Sequence, residues 1–193
     1  MNKLMKRITL ISGNENKIRE IYLILKKYGI ELEAFDLDIY EIQADNLEEI
    51  ALYCAKQAFQ ILKKPIIIED SGLFIEALNG FPGPYTSYAY KTIGNEGIIK
   101  LMKDQKNRSA MFKTVIAYKD QNIEKIFIGE VKGEISETIK GLGWGFDPIF
   151  IPRNHFKTYG EMSTEEKNEI SHRSMAVHKF AEWYSNLLRN PSF

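Results

Sequence analysis

Apolar residues recur along this chain in two rhythms, a short continuous run and a three-to-four-residue repeat, and their alternation predicts an α/β fold. Arg7 to Ser12 is a brief apolar, β-rich stretch that reads as a buried strand. It runs into Gly13-Asn14, after which Ile18, Ile21, Tyr22 and Leu25 repeat at helical spacing until Gly29 supplies a stop. Glu31 to Leu37 reads as a second strand. Asn46, with Glu49 three residues on, opens a second helix whose inward stripe is Leu47, Ile50, Ala51, Cys54, Ala58, Ile61 and Leu62. Pro65 breaks that helix, and Ile66-Ile67-Ile68 then forms a central strand that ends in Glu69-Asp70-Ser71-Gly72. Leu78 to Pro84, rich in proline and glycine, is a loop, and Asn95 to Met102 a modest helix. Ala110 to Tyr118 and Ile123 to Ile135, joined through Asp120-Gln121-Asn122, read as a β-hairpin. A glycine-rich loop at Gly141 to Gly145 precedes a short helix with a Ser163/Glu166 capping box. Ser171 then caps a last helix that turns Ala176, Phe180, Tyr184 and Leu187 inward.

No repeat, low-complexity tract or linker interrupts this pattern, so residues 1–193 are expected to form a single α/β domain. At 22.3 kDa there is still room for that domain to divide into two lobes about a cleft. Lys+Arg and Asp+Glu both total 26, and this balance disfavours nucleic acid as a partner, since polyanion binders carry a basic excess. The run Ile8-Thr9-Leu10-Ile11 is too short for a signal peptide core, and nothing approaches a membrane span. Cys54 is the only cysteine, which excludes an intrachain disulfide, and the cytoplasm is the expected location.

Five segments carry candidate chemistry. Ser12-Gly13-Asn14-Glu15-Asn16-Lys17 lies between strand and helix, where backbone N–H groups and the positive end of the dipole suit phosphate. Lys17 adds a mobile positive charge, although the Walker A spacing is absent and an ordinary capped turn explains the segment as well. Asp70, at a strand's carboxyl end, could hold Mg²⁺ or activate water, whereas Asp-Ser-Gly is also common turn chemistry. Glu41, in the loop after the second strand, reads either as another metal ligand or as an isolated surface glutamate. Trp144-Gly145-Phe146-Asp147 offers aromatic faces for a nucleobase and one carboxylate for its polar edge, or else a tight turn with its aromatics in the core. Lys167, His172 and Arg173 straddle a helix junction; they either donate hydrogen bonds into a cleft or form an exposed charged junction. His155 and His178 have no metal-ligand spacing, so zinc is not expected, and Cys54 reads as core.

The order of these segments is distinctive. Through SGNENK (Ser12–Lys17), EDSGL (Glu69–Leu73), NGFPGPY (Asn79–Tyr85), GWGFDPIF (Gly143–Phe150) and EMS-x-EEKN-x-ISHR (Glu161–Arg173) the chain resembles the Ham1/RdgB family of inosine triphosphate pyrophosphatases. The resemblance implies a mixed, twisted sheet with flanking helices, two lobes around a central nucleotide cleft, and a homodimer. It also implies Mg²⁺-dependent hydrolysis of ITP, dITP and XTP between the α and β phosphates, giving the monophosphate and pyrophosphate. By motif, the Ser12–Lys17 loop with Glu15 and Asn16 would hold the triphosphate, Asp70 would be the catalytic proton acceptor or metal-anchoring acid, Glu41 would take the position of the other metal carboxylate, and Ser71 would touch the substrate. Trp144, Gly145, Phe146, Asp147, Lys167, His172 and Arg173 would form the nucleoside side. Two departures stand out: Cys54 occupies the place of a family lysine, with Lys56 two positions later, and Ser87-Tyr88 stand where relatives carry a cation, with Lys91 a helical turn on. A Maf-like pyrophosphatase would share fold and products, but the SHR segment and the GFDP loop argue for the purine family. A nucleotide sensor without hydrolysis is disfavoured by Asp70, Glu41 and Lys17.

Overall fold

The computed structural model describes residues 6–189. β1 (Lys6–Ile11) pairs in parallel with β2 (Ile30–Phe35) along its whole length, and with β3 (Ile66–Ile75) from Thr9–Ile66 to Ile11–Ile68. Parallel neighbours need crossovers, and α1 (Glu15–Lys27) and α2 (Leu47–Leu62) provide them. β5 (Ser109–Lys119) and β6 (Glu124–Ile135) follow, and β7 (Phe150–Pro152) returns antiparallel to β6. The sheet order is β2-β1-β3-β5-β6-β7, with β4 (Pro82–Gly83) antiparallel to β3, so the fold is a mixed α/β sheet with flanking helices. Among the described residues, no helix is long and apolar enough to cross a membrane.

The helix ends form as their residues dictate. Asn14 caps α1 by accepting from Asn16 and Lys17 N–H groups, Glu15 faces the positive end of the dipole, and Lys26 and Lys27 face the negative end. Gly29, at φ +65°, supplies the left-handed residue that releases the chain into β2. Asn46 caps α2 through the Glu49 N–H at 2.8 Å. α5 (Thr164–Ile170) opens on the expected reciprocal box between Ser163 and Glu166, and α6 (His172–Arg189) starts directly after Ser171.

The described residues divide into two compact units. Among the described residues the first comprises 6–70, 114–129 and 173–189, and the second 71–113 and 130–172. Each has its own core. In the first, Ile8, Leu10 and Ile67 of the sheet pack with Ile21, Ile24 and Leu25 of α1 and with Val177, Phe180 and Tyr184 of α6. In the second, Leu73, Phe112 and Ile135 pack with Ile98, Phe146, Phe150 and Tyr159.

Several details differ from the sequence reading. β3 does not end at Glu69-Asp70-Ser71-Gly72 but continues to Ile75, because Leu73 and Ile75 are buried and Leu73 and Phe74 pair with β4. Gly72 permits that pairing, since a Cβ there would lie 2.6 Å from the Gly83 carbonyl oxygen. Tyr22 and Ile61 face solvent, at the edges of stripes already filled by Ile21, Ile24 and Leu25 and by the small residues Ala55 and Ala58. α3 (Thr86–Thr92) leaves no apolar period to read, because Ala89 is its one buried residue. β7 has three residues, too few to show alternation.

Arg108 draws the second unit's backbone together. Its guanidinium donates to the carbonyls of Ile135 at 2.6 Å, Ser136 at 2.6 Å and Met102 at 3.0 Å, joining the start of β5 to the end of β6 and to α4 (Gly94–Leu101). Methionine would keep the stem but take the side-chain donor from the Ile135 and Ser136 carbonyls, while Met102 would keep only the Gln105 N–H at 3.2 Å. Arg108→Met is therefore expected to lower stability by about 2–4 kcal/mol, read as a lower urea midpoint at unchanged slope.

Candidate functional site

In the first unit, the Ser12–Lys17 segment is an ordered turn. Ser12 Oγ accepts from the Asn14 N–H at 3.1 Å, and Asn14 Oδ1 accepts from Asn16 at 3.0 Å and Lys17 at 3.2 Å. Several donors that the sequence offered to phosphate are thus held by the loop's own side chains. Both capping residues are at least partly exposed, and Glu15 and Asn16 point outward into solvent. Gly13 makes room for a residue that sequence reasoning passed over: a Cβ at this position would sit 2.7 Å from the carboxyl group of Asp36. Lys17 is less mobile than its type suggests. Its Nζ lies 2.8 Å from Glu69 Oε2 and 3.3 Å from the Glu69 carbonyl oxygen.

Glu69 is the centre of a buried cluster. Its other oxygen accepts from Arg173 Nε at 3.0 Å, and Arg173 Nη1 reaches Glu20 Oε2 at 2.6 Å. The side chains of Arg173, Glu20 and Glu69 are 3%, 7% and 0% exposed, so these charges are held out of water and have to satisfy one another. Two carboxylates and two cations make the group neutral. Arg173 is therefore neither on an exposed junction nor free to swing, and Glu69 and Glu20 are members that the sequence analysis did not nominate. Glu20 did leave a signal: it is a charge beside Ile21 on the apolar face of α1.

Asp70 follows Glu69 on β3, just beyond Ile68, where the parallel ladder with β1 stops. Glu41 is exposed, in the loop after β2. α2 holds the middle of that loop, with Gln57 Nε2 donating to the Tyr40 carbonyl at 2.7 Å and the Cys54 thiol facing the same oxygen at 3.9 Å. Burial first, then the negative charges of Glu41 and Asp70, push the Cys54 thiol up to about 11. Both candidate metal carboxylates thus lie within electrostatic reach of one point on α2. Lys56 is turned toward Glu124 Oε1 at 3.2 Å.

In the second unit, Trp144-Gly145-Phe146-Asp147 forms a fixed loop. Lys167 Nζ donates to Asp147 Oδ2 at 2.6 Å with both side chains buried, and the same ammonium lies 5.2 Å from the centre of the Trp144 ring. Phe146 is buried and meets the edge of Tyr90 at 5.4 Å. Asn95 Nδ2 donates to the Gly145 carbonyl at 3.1 Å. His172 is buried as well, stacked on Phe112 with ring centres 4.5 Å apart and planes 6° from parallel. Ser71 is half-buried at the first position of this unit. Tyr90 and Asn95 were missed because a lone asparagine and an exposed tyrosine carry no periodic signal. A groove of about 750 Å³ in the same unit, lined by residues including Phe74, Glu76, Lys132, Arg153 and His155, contains none of the nominated residues.

A model of the Ham1 family matches residues 8–183. The chain is 50% identical over 182 residues to the dITP/XTP pyrophosphatase of Methanopyrus kandleri, covering 93% of this chain and 97% of that protein. It is 51% identical over 178 residues to the protein of the same name from Saccharolobus solfataricus, covering 92% and 93%. Among solved structures, a Ham1 protein from Coxiella burnetii superposes with a TM-score of 0.84 at 30% identity, covering 94% of this chain and all (100%) of that one.

Two outcomes follow from this geometry. Arg173→Met leaves Glu20 and Glu69 buried without their shared cation and should cost about 3–5 kcal/mol in chemical denaturation; a cost below about 1 kcal/mol would mean the cluster is solvated. The Cys54 thiol, raised from its ordinary value of 9.0 to about 11, should react with iodoacetamide at pH 8 about a hundredfold more slowly in the folded protein than after unfolding. Because the folded state keeps that proton, this thiol's contribution to stability is intact below pH 9 and is lost as pH rises through 11.

Proposed function

This chain belongs to the Ham1 family, and from that premise we propose that it hydrolyses deaminated purine nucleoside triphosphates such as dITP, ITP and XTP to the monophosphate and pyrophosphate. The observation that carries this reading is half-identity sustained over more than nine-tenths of the chain to proteins named as dITP/XTP pyrophosphatases. The built-in charges of the two units support it.

The triphosphate end of the substrate falls to the first unit's residues. Ser12, Gly13, Asn14, Glu15, Asn16 and Lys17 surround the positive end of α1, and the exposed caps can rotate to share their N–H groups with phosphate oxygens. Lys17, held at Glu69, offers its charge to the departing pyrophosphate. Asp70 accepts the proton of the attacking water as its oxygen bonds to the α-phosphorus, and the bond from that phosphorus to the β-phosphate oxygen breaks. Glu41 and Asp70 suit a magnesium ion. Among the described residues no three His, Cys, Asp or Glu side chains gather around a metal position, and Mg²⁺ takes one or two carboxylates with phosphate oxygens and water. Bound there, it supplies neutralisation of the phosphate charge.

The base end falls to the second unit. Ser71 contacts the substrate at the unit's first position, and the Trp144 face stacks on the purine. Asp147, oriented by Lys167, accepts from the base or ribose. His172, with its ring clamped on Phe112, presents a donor toward the purine 6-oxygen, and Arg173 directly follows it in the chain. An adenine amino group would set donor against donor, at a cost of roughly 1–3 kcal/mol for each buried group left unmatched. The enzyme acts as a homodimer in this reading, as the family resemblance implies.

A panel of triphosphates assayed for pyrophosphate release, with and without Mg²⁺, tests this directly. dITP, ITP and XTP should exceed dATP, ATP and GTP by at least about a hundredfold in kcat/KM. Asp70→Asn should reduce kcat by about 10²–10⁴-fold with the fold retained, and equal rates for dITP and dATP would sink the assignment.

A further inference from the structure

The loop from Trp144 to Asp147 is confined through its side chains at each residue but one. Asp147 is fixed by Lys167, Trp144 lies against the Lys167 ammonium, and Phe146 is buried against Tyr90. Gly145 is the exception. It sits at φ +63°, and a Cβ there would meet nothing within 4 Å, so packing does not confine it. Glycine rotates cheaply between backbone conformations, and turning the peptide plane between Gly145 and Phe146 would reverse its carbonyl and its N–H together. One side chain opposes that turn. Asn95, in the first turn of α4, donates through Nδ2 to the Gly145 carbonyl at 3.1 Å. The carbonyl can only accept, which settles the orientation of the Asn95 amide and leaves Oδ1 buried with no partner among the described residues.

We propose that Asn95 is a positioning residue for substrate specificity: by holding the Gly145 carbonyl it fixes the peptide plane of the base-binding loop, and so sets discrimination between purine bases rather than the rate of phosphate chemistry. The Phe146 N–H, antiparallel to that carbonyl, is thereby turned away from α4 and kept in one direction. The inference rests on the base-binding role assigned above to Trp144–Asp147. Leucine matches the shape of asparagine, cannot donate, and removes the stranded acceptor, so it separates positioning from packing.

The test is Asn95→Leu, studied for dITP and dATP hydrolysis and also in a Trp183→Phe background, where Trp144 becomes the only tryptophan of the two in the chain. The variant should melt within a few degrees of wild type, because removal of the orphan acceptor offsets loss of the hydrogen bond to the Gly145 carbonyl. Acrylamide quenching of Trp144 should increase without nucleotide present, since the loop is no longer pinned. The kcat/KM ratio of dITP to dATP should fall about tenfold, mainly through a higher KM for dITP, with kcat kept within about twofold. Unchanged quenching overturns the proposal, as does increased quenching with the wild-type base ratio intact. A wild-type enzyme that already fails to prefer dITP overturns instead the base-binding role of the loop; that failure appears before any substitution, whereas a failure of Asn95 appears only in the variant.

Discussion

The first unit is organised around one electrostatic requirement: a carboxylate placed at the centre of a dry core needs compensating charges on both sides. Glu69 is that carboxylate. It engages Lys17 from the first turn of α1 and Arg173 from the first turn of α6, and Arg173 in turn engages Glu20. None of these three elements could shift by a turn without stranding a buried charge, a far larger penalty than one lost methyl contact. The register of α1 and α6 on the sheet is therefore specified by charge as well as by apolar packing. The next residue after Glu69 is Asp70, so the cluster also fixes the strand position from which the proposed catalytic carboxylate projects.

The second unit applies the same logic to the proposed base-binding residues. Lys167 and Asp147 form a buried pair, and that pair orients a loop whose aromatic members are held by neighbours, Phe146 by Tyr90 and Trp144 by the Lys167 ammonium. His172 stacks flat on Phe112, so the plane of its ring, and hence the directions of its two nitrogens, are set before any ligand arrives. Preorganisation of this kind lets a site built around one hydrogen-bonding edge reject another, because wrong partners find no compensating rearrangement.

Much of this was legible in the chain. The Ser163/Glu166 box, the Asn46 cap and the hairpin through Asp120 are local interactions, complete within a few residues, and they formed where the sequence placed them. The end of β3 was misread because its continuation depends on pairing with Pro82–Gly83 and on burial of Leu73 and Ile75, neither of which shows in an Asp-Ser-Gly tripeptide. α3 and β7 were invisible because one buried residue, or three residues in all, cannot display a period.

By itself the sequence determined most of the elements, the hairpin connection, and the polar residues that gather at the breaks between elements, because propensity, capping and hydrophobic period act over short separations. Tertiary structure alone decided the partners of those polar residues: that Lys17 meets Glu69 across 52 positions, that Arg173 meets Glu69 and Glu20 across 104 and 153, and that Asn95 holds Gly145 across 50. A charge or an amide encodes no address in the chain. Its partner is chosen when packing brings distant segments within 3 Å or so and excludes the water that would otherwise serve either side chain equally well.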